Sequence, residues 1–199
     1  MNTALIIVDV QYDFLPSFKY QLGWNGALAV PDGGEIIDPL YDLLQDSHDY
    51  YDFVVASYDW HPKNHCSFVE NGGPWPAHCV QNTPGANLEM TVMDLADFYV
   101  AKGGNADREA YSAFDGFVLN RPGGGLAPTL DKFLNEHNIK SVEICGLALD
   151  YCVRATALDA ADKGYHTEVL LDLTRPVAWE TGAKAIAELQ YAEVSLSYT

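Results

Sequence analysis

An aspartate, a lysine and a cysteine occupy the positions in this sequence where acyl chemistry would be simplest to build. Asp9 closes the apolar run Ile6-Ile7-Val8, and a carboxylate at the end of a buried strand is costly unless it is paired or protonated. Lys102 follows Phe98-Tyr99-Val100-Ala101 and precedes Gly103-Gly104, again at the exit of a strand. Each has an ordinary explanation on its own, a structural acid in one case and a solvated lysine in the other. The pair says more, because a buried acid needs a cation and a strand-end lysine supplies one. Cys152, in Gly146-Leu147-Ala148-Leu149-Asp150-Tyr151-Cys152-Val153-Arg154, falls in the first turn of a helix. Unsatisfied N–H groups and the positive end of the dipole favour a thiolate there, and a nearby lysine would lower its pKa further. The alternative is a small core hydrophobe, as most free cysteines are. Asp150 is expected as the N-cap of that helix.

A second constellation has metal-ligand spacing. Asp59 and His61 share a face if the strand before them continues, and His78 follows in Trp75-Pro76-Ala77-His78. Two imidazoles and a carboxylate suit a divalent ion with open positions, zinc first, with iron and manganese equally compatible in donor type. Three of the six histidines lie between positions 61 and 78. His65 is a candidate fourth ligand or a supporting group, and Glu70 a candidate contact through water.

Strands and helices must bring these residues together. Apolar, β-branched runs at 5–10, 53–58, 98–101, 116–120, 141–145, 166–171 and 193–196 predict strands, and their near-continuous hydrophobicity predicts cover on both faces. Helical spacing of apolar residues appears at 35–47, 127–137, 151–163 and 177–189, with Gly164 as a stop after the third. The alternation predicts a single-domain, three-layer α/β/α fold over residues 1–199, with a central, mainly parallel sheet flanked by helices. In such sheets ligands bind beyond the carboxyl ends of the strands. Asp9, Asp59, His61, Lys102 and the Cys152 turn should therefore converge on one edge. Residues 60–88 form a long connection, and a loop of that length in a compact domain is usually functional.

Composition narrows the classes. The chain has 199 residues, 28 acidic against 11 basic side chains and a net charge of −17, a balance that would repel phosphate backbones. No apolar stretch approaches the ~20 residues of a bilayer span, so neither nucleic acid nor membrane is expected as a partner. The N-terminal apolar run lacks a basic leader and ends in Asp9. Cys66, Cys79, Cys145 and Cys152 form no CxxC pair. Free thiols in a reducing cytoplasm are the expectation.

Taken together, the segments Leu5-Ile6-Ile7-Val8-Asp9-Val10-Gln11-Tyr12-Asp13-Phe14, Asp59-Trp60-His61-Pro62-Lys63-Asn64-His65-Cys66-Ser67-Phe68, Trp75-Pro76-Ala77-His78-Cys79-Val80-Gln81-Asn82-Thr83-Pro84-Gly85-Ala86, Lys102-Gly103 and the Gly146-to-Arg154 turn resemble the nicotinamidase branch of the isochorismatase-like hydrolases. The resemblance implies a catalytic triad of Asp9, Lys102 and Cys152 and metal ligands Asp59, His61 and His78. It also implies a cis peptide between Leu147 and Ala148, with an oxyanion hole from the N–H groups of Ala148 and Cys152. Substrate contacts are expected from Phe14, Trp75, Tyr111 and Leu147. Position 151, often His in the family, is Tyr here. The implied reaction is hydrolysis of nicotinamide to nicotinate and ammonia through a cysteine thioester, feeding NAD salvage, in a homo-oligomer, with the metal orienting the pyridine ring.

Three rivals remain at this stage. Another amide hydrolase of the same superfamily would share the triad but generally lack the Asp-x-His…His set. A hydrolase whose metal-bound water attacks would leave Cys152 structural. A metal-binding or ligand-sensing module would have lost a member of the triad, and none is missing.

Overall fold

The computed structural model describes residues 2–17, 23–120, 122 and 128–199. Among the described residues, strands β1 (Thr3–Val8), β2 (Phe53–Asp59), β3 (Phe98–Lys102), β4 (Phe117–Leu119), β5 (Ser141–Leu147), β6 (His166–Arg175) and β7 (Ser195–Ser197) form one sheet in the order β4-β3-β2-β1-β5-β6-β7. Every pairing is parallel except β3 with β4. The helices are α1 (Ile37–Ser47), α2 (Met90–Leu95), α3 (Leu130–Glu136), α4 (Arg154–Asp162) and α5 (Trp179–Tyr191).

The three layers follow from side-chain alternation. Along β1, Leu5 and Ile7 pack with Ile37, Leu40 and Leu44 of α1 and Val92 of α2. Ala4, Ile6 and Val8 pack on the opposite face with Leu130, Phe133 and Leu134 of α3, Ala157 and Ala160 of α4, and Ala185 and Leu189 of α5. Successive strand side chains point to opposite faces, so a strand sandwiched between helix layers must be apolar throughout. All six residues of β1 are buried.

Element boundaries differ from expectation where side chains intervene. β1 ends at Val8 rather than residue 10, because Asp9 takes a left-handed backbone conformation with φ 49°. A 3-10 turn, Gly33–Ile36, replaces the expected start of α1. The short helix α2 carries too few turns to show a period; Glu89 opens it by accepting a hydrogen bond from the Thr91 N–H at 2.7 Å. For α3, the Thr129 side chain caps the helix, and the predicted start at Ala127 lies outside the described residues. The predicted 151–163 helix divides into a π-helical turn, Leu149–Val153, and α4. No helix among the described residues is long and apolar enough to cross a membrane.

Gly146 is required by the sheet itself. It has φ 106°, and a Cβ there would lie 2.1 Å from the Val8 carbonyl oxygen. This close approach of β5 to β1, the strands that carry the Cys152 turn and Asp9, tolerates only glycine.

Candidate active site

The carboxyl ends of β1, β2, β3 and β5 lie side by side, and the register pairs Asp59 with Lys102 directly. Asp9 is anchored to β2 twice. Its N–H donates to the Ser57 carbonyl at 3.1 Å, and the Ser57 hydroxyl donates to Asp9 Oδ1 at 2.6 Å. Lys102 is fixed at the centre. Its Nζ lies 2.8 Å from Asp9 Oδ2, 2.6 Å from Asp59 Oδ1, 3.1 Å from the Ala110 carbonyl and 3.6 Å from Cys152 Sγ. Asp9 Oδ2 has this ion pair with Lys102 as its contact, whereas Oδ1 is taken by Ser57. Asp9, Lys102 and Cys152 are 0%, 2% and 6% exposed, so water screens none of these charges appreciably.

Burial decides the protonation states. It lowers the pKa of Lys102, but Asp59 and Asp9 outweigh it, and the amine stays charged. For Asp9, burial raises the carboxyl further than Lys102 lowers it. Burial also pushes the Cys152 thiol well above its usual range; Lys102 opposes this, and the nearby Asp9 charge adds to it. The thiolate expected from the helix terminus is therefore not the resting state. The π-helical turn sits at a dipole end, but desolvation of the deeply buried sulfur is the larger effect. Burial favours the thiol form of the sulfur, which sits beside the Asp9 carboxyl group.

Asp59 also joins this group to the second. Its Oδ1 faces Lys102 and its Oδ2 lies 3.5 Å from His61 Nε2. Burial would raise its pKa, but Lys102 and His61 together hold the carboxyl below its usual range. His61 Nδ1 meets the Gly103 carbonyl at 3.0 Å and His78 Nδ1 meets the Pro76 carbonyl at 2.7 Å. Those contacts assign the proton of each ring to Nδ1 and leave Nε2 as an electron-pair donor. Gly103 has φ 67°, and a Cβ there would lie 2.4 Å from His61 Cε1. One donor atom from each of Asp59, His61 and His78 falls within 4.8 Å of the others. A buried carboxylate and two imidazoles backed by carbonyls fit a divalent metal ion.

Other expectations change. His65 spends both ring nitrogens, on Ser67 Oγ at 2.7 Å and the Arg108 carbonyl at 3.1 Å, and its ring lies 4.0 Å from that of His61. It stacks beside His61, and protein groups engage both of its ring nitrogens. Glu70 is exposed on the turn Val69–Asn71. Glu109, which no periodicity marks, lines the cavity instead and lies near His61 and His65. Asp150 does not cap its own helix: its carboxylate accepts hydrogen bonds from the N–H groups of Val177 and Ala178 ahead of α5.

Cys152 and the donor set open on one cavity. Phe14, Leu28, Val30, Trp75, Tyr111, Tyr151 and Val177 form its apolar wall, and Ala148 borders it beside Cys152. The Trp75 indole N–H donates to the Tyr111 hydroxyl at 2.9 Å, and Trp75 meets Tyr151 edge to face with centroids 5.0 Å apart. The Leu147–Ala148 peptide is cis. Leu147 is removed from the expected substrate contacts: it does not line the cavity, and its side chain is fully buried in the core shared with Leu15 and Val30.

Two buried residues just after β1 position the donor set. Gln11 accepts from the Asp59 N–H at 2.7 Å and donates to the carbonyls of Asp59 and Ala86 at 2.9 and 2.8 Å. Asp13 accepts from the Cys79 N–H at 2.7 Å, next to His78, and from the Ala27 N–H at 3.2 Å. A polar residue at every second position after a buried strand is the signal that could have revealed them. Gln11→Ala leaves the Asp59 amide without an acceptor, and the expected loss is about 1–3 kcal/mol of folding stability. Urea denaturation reads it; an unchanged midpoint would mean that Gln11 is dispensable to the scaffold.

Residues 3–197 match the Isochorismatase domain family. The chain is 38% identical to the nicotinamidase of Saccharomyces cerevisiae, covering 88% of each chain, and 36% identical to the nicotinamidase of Escherichia coli, covering 97% and 93%. Among solved structures, it resembles the pyrazinamidase of Pyrococcus horikoshii in complex with zinc, with TM-score 0.84, 39% identity and full coverage of both chains. It also resembles PnC1 from L. infantum in complex with nicotinate, with TM-score 0.85, 36% identity and coverage of 98% and 92%.

Proposed function

Because the chain belongs to the Isochorismatase domain family, we propose that it hydrolyses nicotinamide to nicotinate and ammonia, with Cys152 as nucleophile. The nicotinate would feed NAD salvage. One observation carries this reading: a single buried ammonium, Lys102, touches Asp9, Asp59 and Cys152 at once. A structural cysteine has no use for such a setting.

The sequence of events follows from the protonation states. Cys152 rests as a thiol, so attack on the amide carbon needs a base, and Asp9 takes the proton as the carbon–sulfur bond forms. Lys102 balances the negative charge that passes between sulfur and carboxylate. The N–H groups of Ala148 and Cys152 receive the developing oxyanion. Asp9 then returns its proton to the departing nitrogen, which leaves as ammonia because amide anion is far too basic. The carboxylate is thereby regenerated, and it activates the water that hydrolyses the thioester. Phe14, Trp75, Tyr111 and Tyr151 grip the ring and exclude bulk water. A divalent cation held by Asp59, His61 and His78 would supply a Lewis-acid contact for the pyridine nitrogen, orienting the ring. We favour zinc, the ion named for the P. horikoshii relative. The free thiols fit a reducing compartment such as the cytoplasm.

The test is ammonia and nicotinate release from nicotinamide, with and without a chelator. One ammonia per nicotinate is expected, and chelation should lower kcat/KM by about tenfold or more, restored by added metal. No ammonia would reject the substrate, and insensitivity to the chelator would reject the metal's part.

A further inference from the structure

Asp150 is 4% exposed and sits two residues before Cys152 in the π-helical turn. An aspartate at this point of a helix start would ordinarily accept from the amides of its own first turn. Here the carboxylate turns away. Oδ1 accepts from the Val177 N–H at 2.9 Å, and Oδ2 accepts from the Ala178 N–H at 3.3 Å and from the Thr181 hydroxyl. These groups lie at the start of α5, a 13-residue helix whose dipole favours an anion at that end. Pro176 has no N–H, so Val177 presents the first amide after β6. Gly182 lets the first turn of α5 close on this corner, since a Cβ there would lie 2.8 Å from Pro176 Cβ. Val177 in turn lines the same cavity as Cys152.

We infer that Asp150 is a positioning residue: its carboxylate locks the Cys152 turn to the Val177 wall and so fixes where the sulfur stands relative to bound substrate. The inference rests on the proposed amide hydrolysis. Asp150 touches neither substrate nor the reacting atoms, and its effect passes through the backbone of residues 150–152 and through Val177. Phe14, Trp75, Tyr111 and the donor set lie on other elements, and of the aromatic grip Tyr151 alone rides on this turn. Loss of the lock should therefore slow the chemical step more than it weakens binding.

Asp150→Ala is expected to lower kcat by about ten- to a hundredfold with KM within about threefold, because sub-ångström misplacement of a nucleophile has effects of this size. Asp150→Asn should recover most of the rate. Its oxygen can accept from Val177 and its NH2 can donate to the Thr181 hydroxyl, which accepts as readily as it donates, with only the longer Ala178 N–H bond lost. Both are measured well below the melting temperature of each variant. A cap that serves stability alone would lower the melting temperature of Asp150→Ala and leave kcat unchanged, and that result overturns the inference. If Asp150→Ala does not fold, Thr181→Val decides: a kcat lowered about threefold or more at unchanged KM supports the lock, and an unchanged kcat overturns it. The unaltered chain is assayed in parallel. Its failure to release ammonia would sink the proposed function, whereas ammonia release with full kcat in Asp150→Ala sinks only the lock.

Discussion

Cys152→Ala is expected to lose ammonia release from nicotinamide by at least about four orders of magnitude, as removal of a nucleophile does in other covalent hydrolases. The fold should survive. Cys152 is a small side chain packed beside Val153 and Leu149, and alanine keeps the backbone of the π-helical turn. The check is initial rates at saturating substrate, paired with a thermal melt to show that the variant is folded. Cys152→Ser should also be severely impaired, because Asp9 would have to deprotonate an alcohol that is far less acidic than a thiol. A variant that kept most of its rate would point to attack by a metal-bound water and leave Cys152 as packing.

Lys102→Met is expected to lower kcat/KM by at least about a thousandfold and to destabilise the fold. The side chain is nearly conserved in length, but the only change that matters is the charge. In the native arrangement one ammonium lies against two carboxylates, Asp9 at 0% and Asp59 at 4% exposure. Removing one partner of such a buried pair leaves an uncompensated charge, an effect of about 3–5 kcal/mol. Asp9 can relieve part of it by binding a proton, since burial already raises its pKa and Lys102 is the chief opposing influence. A carboxyl whose folded pKa lies above the unfolded value of about 3.9 binds more protons when folded. Its contribution is therefore fully present below that unfolded value and is lost as pH rises through the raised folded pKa. The deficit of Lys102→Met relative to the native chain should be smallest in acid and widen toward neutrality. Urea titrations across that range read the sign directly; a deficit that shrank with rising pH would refute the charge account.

The framework of this fold is legible in the residues because it depends on local pattern. Continuous apolar runs locate the seven strands found among the described residues to within a few residues, and strand-end polar residues identify Asp9, Asp59 and Lys102 as neighbours once the strands are parallel. What escapes is set by approach in space. The Asp13 carboxylate is bound by an amide 66 residues away, and Asp150 by groups 27 to 31 residues away. No spacing rule contains those distances. Leu147 was expected at the substrate and is wholly buried in the core, while Ala148, the next residue in the same cluster, borders the cavity. The protonation of Cys152 likewise depends on deep burial beside Asp9, which a helix-start position does not reveal. His65 is a candidate ligand by type, and only the structure shows that Ser67 and Arg108 already engage its ring nitrogens.

The central claim is that carbon–sulfur bond formation at residue 152, with the proton passing to residue 9, is the route to product. Acid quenching during steady-state turnover of nicotinamide, followed by peptide mass spectrometry, observes that bond itself. The peptide bearing Cys152 should carry one nicotinoyl group, labile to hydroxylamine, while those bearing Cys66, Cys79 and Cys145 stay unmodified. An unmodified Cys152 peptide at every quench time, together with sustained turnover when that sulfur is replaced by alanine's methyl group, would contradict it.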